Sequence, residues 1–424
     1  MKTDKRPGRI PELDGLRVLM IFIVSWYHIW QQSWLSPSVY IEPVNFYWSL
    51  DFLVRSGYVW VDGTVLLSAF LLYLPLARKG RDALPETREF YFRKAKRILP
   101  GYWFILLLFF FAICLPWNLY NGNGPFIAKD LFTHFTLIFP FWRDTYIYTP
   151  LGAASWTLSI VAQGYLLFPL LTRCMRRKPA LTLILLAAGA FAFRGWCLWG
   201  LQEYSMVVNT FVNFLDVYAI GFGCAMLFAR LEKKVDSGQE KVNSEQWIVN
   251  SKEPGKPSGE KKLMREILAT VVFVGCFIGI CELLKVQAAT NGQVDLQGHQ
   301  MIFRPLFALG FAGLVLSAPF SLKFLRFLLG NRVTAFLSAV SMNYYLVHQT
   351  LAVHLKRIGF PPSVSDTPNT VMEQPWQWQY TLAAFGISLV LAVLITYLVE
   401  KPAGKLLQKL WDRKKNKSKE PTAS

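Results

Sequence analysis

Charge is scarce in this chain. Only 17% of its 424 residues are charged, against roughly a quarter in a typical soluble protein. Acids are scarcest: 27 Asp and Glu stand against 45 Lys and Arg, leaving a formal charge of +18. The six cysteines (Cys114, Cys174, Cys197, Cys224, Cys276 and Cys281) form no CxxC pair and mostly fall in apolar runs. They read as buried thiols, with no disulfide framework and no metal site. The chain has no GxSxG, HExxH, GxxxxGK[ST] or GxGxxG. A serine hydrolase, zinc protease or nucleotide-binding ATPase would lack its defining parts. No small-residue cleavage site follows the first apolar run, so that run is expected to be an uncleaved first span.

What is abundant is apolar: 53% of residues, 15% aromatic, with 33 phenylalanines. A chain poor in charge yet basic admits two explanations, a nucleic-acid surface or the cytoplasmic loops of a membrane protein. The apolar runs leave little polar surface for the first. Ten of them stand out, near 13–34, 58–76, 101–117, 156–171, 180–199, 210–228, 267–284, 302–318, 335–354 and 380–399. The stretch 131–142 is apolar but too short to span.

Basic residues orient the spans. With the N-terminus inside, cytoplasmic segments hold 36 of the 45 Lys and Arg and outer segments hold six. That asymmetry predicts both termini in the cytoplasm and an even span count. The expected fold is all-α, a polytopic integral membrane bundle of about ten transmembrane helices. A flexible basic linker is expected at 231–264, within a membrane domain covering 1–402, and a basic tail at 403–424. Linker and tail need no role beyond orientation and contact with anionic membrane lipids. No nucleic-acid partner is required.

Ionisable residues inside spans are costly and therefore mark candidate sites. Arg17 and His28 share the first span. Eleven residues place them about 16 Å apart on one helical stripe. An anionic head held at Arg17 would put its reactive end beside His28, where a neutral imidazole can deprotonate a hydroxyl. A core histidine with a snorkelling boundary arginine fits the same two residues. Arg93, Lys94, Lys96 and Arg97 crowd the entrance of the third span, as phosphate ligands or as a positive-inside flank. His348 lies in the ninth span at a depth like that of His28, to share a cavity or to bond another helix. Asp62 and Asp216 could orient a histidine or bind substrate. His134, His299 and His354 belong to outer segments or their edge and carry no motif. Residues Ile29, Trp30, Gln31 and Gln32 after His28 do not make the HxxxD of soluble acyltransferases.

Taken in order, these pieces resemble the membrane-bound acyltransferase-3 family of bacterial O-acyltransferases. Glu12-Leu-Asp-Gly-Leu-Arg17 with Tyr27-His28 is similar to its opening signature, and Val61-Asp62 through Leu71 to its second-span motif. Phe92 to Pro100 resembles its basic motif. Ser155-Trp156-Thr-Leu-Ser159-Ile160 through Pro169 resembles its fourth-span motif. Asp216 with Gly221, Val340 through Gln349, and Glu400-Lys-Pro402 complete the series.

The resemblance implies transfer of an acyl group, commonly acetyl, from cytoplasmic acyl-CoA to a hydroxyl of an envelope glycan, lipid-linked sugar or other acceptor. It implies His28 as catalytic base, with Arg17, Arg93, Lys94 and Arg97 on the CoA phosphates. It gives supporting places to Asp62, Asp216, His348, Trp156 and Ser159. No permanently bound cofactor and no metal is implied. Three departures stand out: Val161 and Ala162 where the family has Glu, Lys94 where it has Arg, and Ala69 where it has Gly. The missing Glu keeps an alternative open, a non-enzymatic transporter or sensor of envelope precursors on the same scaffold. Some relatives carry a hydrolase-like domain after the spans; none is expected within this chain.

Overall fold

The computed structural model describes residues 8–79, 86–248, 258–290 and 296–417. In hydrocarbon every backbone polar group must be satisfied within its own segment, so long apolar runs become helices. They are α1 (Glu12–Ser33), α2 (Trp60–Lys79), α3 (Thr87–Phe109), α4 (Gly124–Phe135), α5 (Trp156–Arg177) and α6 (Pro179–Gly200). There follow α7 (Leu215–Ile248), α8 (Ser258–Ala289), α9 (Leu296–Ser317), α10 (Arg332–Arg357), α11 (Trp376–Leu394) and α12 (Lys401–Lys417). Among the described residues the only sheet is a ribbon of β1 (Ser38–Ile41) and β2 (Phe46–Ser49), antiparallel, with Tyr40 opposite Tyr47. Part of the expected linker, 249–257, and the end of the tail, 418–424, lie outside the described residues.

Nine of the described helices are long and apolar enough to cross a membrane by length and composition. The expected ninth span is not among them, although α10 has 26 residues. Its sequence explains this: Ser338, Ser341, Asn343, His348, Gln349 and Thr350 interrupt the apolar pattern. Of the cysteines, Cys114, Cys197 and Cys224 are buried, whereas Cys174 is exposed, contrary to the expectation of buried thiols throughout.

The chain divides into two compact units. The first holds residues 1–24, 38–84 and 170–338, the second 25–37, 85–169 and 339–424. Thus α1, α5 and α10 each contribute to both.

In the first unit α2 packs along α7. Small residues allow the close approach: a side chain on Gly221 would meet the Ala69 methyl at 2.7 Å and the Leu66 carbonyl at 3.0 Å. Only one methyl fits at this crossing. It is carried by Ala69. Gly63 likewise leaves room for the Phe311 ring, which also meets Trp60 edge-on at 5.1 Å. Along α8, Leu268, Val271 and Ile278 are more than half exposed, the apolar outer face a membrane would cover.

The second unit is built on Ile98, Tyr102, Ile105 and Phe109 of α3. They pack with Leu158 of α5, Leu346 and Val347 of α10, and Ile395. Pro100 lies inside α3 and supplies no N–H for the Lys96 carbonyl. A smaller core joins Ile29 of α1 to Ala352, Tyr380 and Ala384. Widened π-type turns interrupt the helices at Phe110–Cys114 and Ile395–Glu400, a feature often found beside functional residues.

Candidate active site

The end of α1 is held by side chains that reach its unsatisfied carbonyls. Lys356 Nζ donates to the Gln32 carbonyl at 2.9 Å, and Gln377 Nε2 donates to that of Ser33 at 2.8 Å. One turn earlier is His28, half-buried. Its Nδ1 lies 3.1 Å from Gln31 Oε1, and Gln31 Nε2 donates to the Tyr27 hydroxyl at 3.0 Å. An amide oxygen only accepts, so Nδ1 carries the proton and Nε2 keeps its lone pair. Gln31 is the orienting residue that sequence reasoning missed. Its signal was its place one turn from His28, on the same helical face.

The structure brings His348 to His28, with ring centroids 5.2 Å apart. His348 is fully buried and its Nδ1 donates to the Tyr345 carbonyl at 2.7 Å. Its Nε2 is buried and has no hydrogen-bond partner among the described residues. Two imidazoles therefore present Nε2 as a base. Tyr344 stacks on His348 at 5.9 Å, and the Tyr345 hydroxyl shares a 2.5 Å hydrogen bond with Thr157 of α5. Two residues on, Ser159 is buried, donates to the Leu137 carbonyl at 2.6 Å and accepts from Gln163 at 3.2 Å. Trp156 is half-buried at the start of α5.

The basic motif is split by its helix. Arg93 and Arg97, one turn apart, are exposed, and Arg93 meets Glu89 at 3.8 Å. Lys94 turns the other way, its Nζ 4.4 Å from the Tyr165 ring centre and 5.5 Å from that of Phe90. Lys96 bonds Gln408 of α12. Asn343 of α10 donates to Glu400 Oε2 at 2.6 Å and to Thr396 at 2.8 Å. Glu400 thus takes a neutral partner, while its neighbour Lys401 lies over the Tyr397 ring, 3.6 Å from its centre. Asn343 has room because Gly101 has no side chain: a methyl there would meet Asn343 Oδ1 at 2.7 Å.

The remaining expected residues belong to the first unit. Arg17 Nη1 donates to Ser338 Oγ at 3.2 Å, Ser338 donates to Asp14 at 2.8 Å, and Arg9 closes on Asp14 at 2.6 Å. Asp62 and Asp216, expected to orient a histidine or hold substrate, each face a buried arginine. Arg304 approaches Asp62 at 3.2 and 3.3 Å. Arg194 grips Asp216 with two bonds of 2.7 and 2.8 Å and takes Asn213 as well.

The connection between α3 and α5 holds a further imidazole–carboxylate pair. His134 Nδ1 donates to the Asp130 carbonyl at 2.9 Å and lies 3.1 Å from one oxygen of its carboxylate, whose other oxygen accepts from Tyr120 at 2.7 Å and Thr149 at 2.8 Å. Burial and the Asp130 carboxylate push the Tyr120 phenol up.

The sequence matches the acyltransferase-3 family model, described as an acyltransferase domain, over residues 10–400. The chain belongs to this family. It is therefore a membrane protein carrying an acyltransferase domain.

Three curated proteins are similar to this chain. The putative peptidoglycan O-acetyltransferase YrhL of Bacillus subtilis (strain 168) is 23% identical over 407 residues, 93% of this chain and 54% of that protein. Peptidoglycan O-acetyltransferase OatA of Listeria monocytogenes is 26% identical over 180 residues, 40% of this chain and 25% of that protein. A putative O-acetyltransferase of Staphylococcus aureus (strain COL), SACOL0978, is 23% identical over 223 residues, 49% of this chain and 30% of that protein. The chain thus spans about half or less of the length of these relatives. No solved structure matches it.

Proposed function

We propose that the protein is an integral-membrane O-acyltransferase that moves an acetyl group from acetyl-CoA to a hydroxyl of a cell-wall glycan. The observation that carries this reading is the pairing of His28 with Gln31, which leaves Nε2 as a base beside a second imidazole. The acceptor O–H gives its proton to His28 Nε2 while its oxygen bonds to the thioester carbonyl carbon. The tetrahedral adduct collapses, the C–S bond breaks, and the CoA thiolate takes the proton back from His28. Buried surroundings exclude water, which would otherwise hydrolyse the thioester. His348 stands where it can relay or accept the same proton.

In this reading α10 is a tenth span, carried across by burial of its polar face, and both termini are cytoplasmic. Arg93 and Arg97 then face the compartment that contains acyl-CoA, and their guanidinium groups suit its phosphates. Lys94 is spoken for by aromatic rings and contributes at the inner edge. Arg17 completes the donor side. Asp62 and Asp216 act by fixing helices, and Trp156 and Ser159 by shaping the wall below Thr157. The glycan acceptor is suggested by the names of the relatives, and the tail 403–424 serves as a basic flank.

The test is turnover of acetyl-CoA by purified full-length protein with muropeptide or oligosaccharide acceptors. Acetyl-ester formation that disappears in His28→Ala is the expected result. Undiminished ester formation in that variant would overturn the mechanism.

A further inference from the structure

A recess lies in the first unit, at the ends of α2, α5 and α7 and the start of α6. Its volume is about 230 Å3. Tyr73, Met175 and Met226 wall it, and Arg176, Arg230 and Lys233 surround its mouth. Arg230 and Lys233 are three residues apart on α7 and so share one face. All three cations are exposed. Among the described residues none of them has an acidic partner, whereas neighbouring Arg78 is doubly bonded to Glu232 at 2.8 Å. The recess therefore combines a mouth of uncompensated positive charge with an apolar interior. Beside it α6 turns Leu181, Ile184 and Leu185 outward, 46, 63 and 61% exposed. An isolated aqueous anion would gain nothing from the apolar walls or from this flank. A molecule with a phosphate and long alkyl chains uses all three features.

We propose that this recess binds an anionic phospholipid, its phosphate among Arg176, Arg230 and Lys233 and its acyl chains along α6. The site stands apart from the histidine cluster and does not depend on acyl transfer. Full-length protein in detergent is titrated with phosphatidylglycerol or phosphatidylcholine and bound lipid is counted by native mass spectrometry. Phosphatidylglycerol should be retained preferentially. The triple variant R176Q/R230Q/K233Q should lower that retention by about tenfold or more. A control triple at the exposed start of α8, K261Q/K262Q/R265Q, should stay within about twofold of the unaltered protein. Equal retention of the two lipids, or an unaffected R176Q/R230Q/K233Q variant, overturns the site. So does a variant that keeps phosphatidylglycerol but loses acetyl-CoA, which would assign the recess to a soluble phosphate donor. If the triple variant does not fold, the single Gln variants decide, each expected to lose a few-fold.

Discussion

Each unit buries polar groups among apolar helices, and the two do so differently. In the first, Asp62 meets Arg304 and Asp216 meets Arg194, with Asn213 and the Val208 carbonyl taking further guanidinium donors. These carboxylates have their charge partners. In the second, His28 and His348 each use Nδ1 for a hydrogen bond and present Nε2 as a base. Charges that are matched hold helices in register, because stripping one partner leaves an uncompensated ion in low dielectric. Half-used imidazoles are set up for proton transfer. Buried polarity at these two places thus separates into a closed kind that supports and an open kind that the proposed mechanism uses.

The contrast predicts a hierarchy of effects. The largest belongs to the open cluster: His28→Ala should lower acetyl transfer by about 10²–10⁴-fold. Its elution from a sizing column in detergent should not change. A variant that loses both activity and fold would move His28 to the supporting kind.

Next comes the closed kind. Asp62→Ala strands Arg304 and should lower stability on the order of 3–5 kcal/mol, read as a fall in melting temperature in detergent. The double variant Asp62→Ala with Arg304→Leu should recover most of that loss. Singles and double melting together would show that the pair does not hold the helices.

Gln31 tests how far orientation matters. Gln31→Leu removes the acceptor that places the proton on Nδ1 and should lower kcat roughly tenfold, the worth of one good hydrogen bond. Gln31→Glu, which still accepts, should retain activity. Equal loss in both would mean that Gln31 does not set the tautomer.

The smallest effect is expected at the basic motif. Arg97→Ala should raise KM for acetyl-CoA about threefold to tenfold with kcat nearly unchanged, since it removes binding common to ground and transition states. A fall in kcat alone would place Arg97 nearer the reacting atoms.

Much of this architecture was legible in the residues alone. Apolar runs must become helices in hydrocarbon, so α1 at Glu12–Ser33 falls within a residue of the expected first span. The order of motifs from Glu12 to Pro402 pointed to the family, and their histidines to the site. Other features were read less well. The expected third span began at Gly101, but α3 starts at Thr87 because Pro100 is accommodated within it, so the basic motif is part of the same helix. In that helix one residue of rotation turns Lys94 away from Arg93 and onto the Tyr165 and Phe90 rings, which a cluster written on a line conceals.

By itself the sequence determined what depends on composition and local spacing. These are helical segments, the excess of basic residues on alternate connections, and the candidate pair Arg17 and His28. Only the tertiary structure decided the partners. Asp62 and Arg304 lie 242 residues apart, and no local pattern records that they meet. His348 reaches His28 because α10 packs beside the end of α1 in the second unit, and Asn343 reaches Glu400 because Gly101 leaves the space. Hydropathy measures each segment against solvent, which is why α10 scored as too polar. The structure buries that polar face, joining Asn343 to Thr396 and Glu400 and Tyr345 to Thr157 while His348 Nε2 keeps no partner among the described residues, a property of packing that no window along the chain contains.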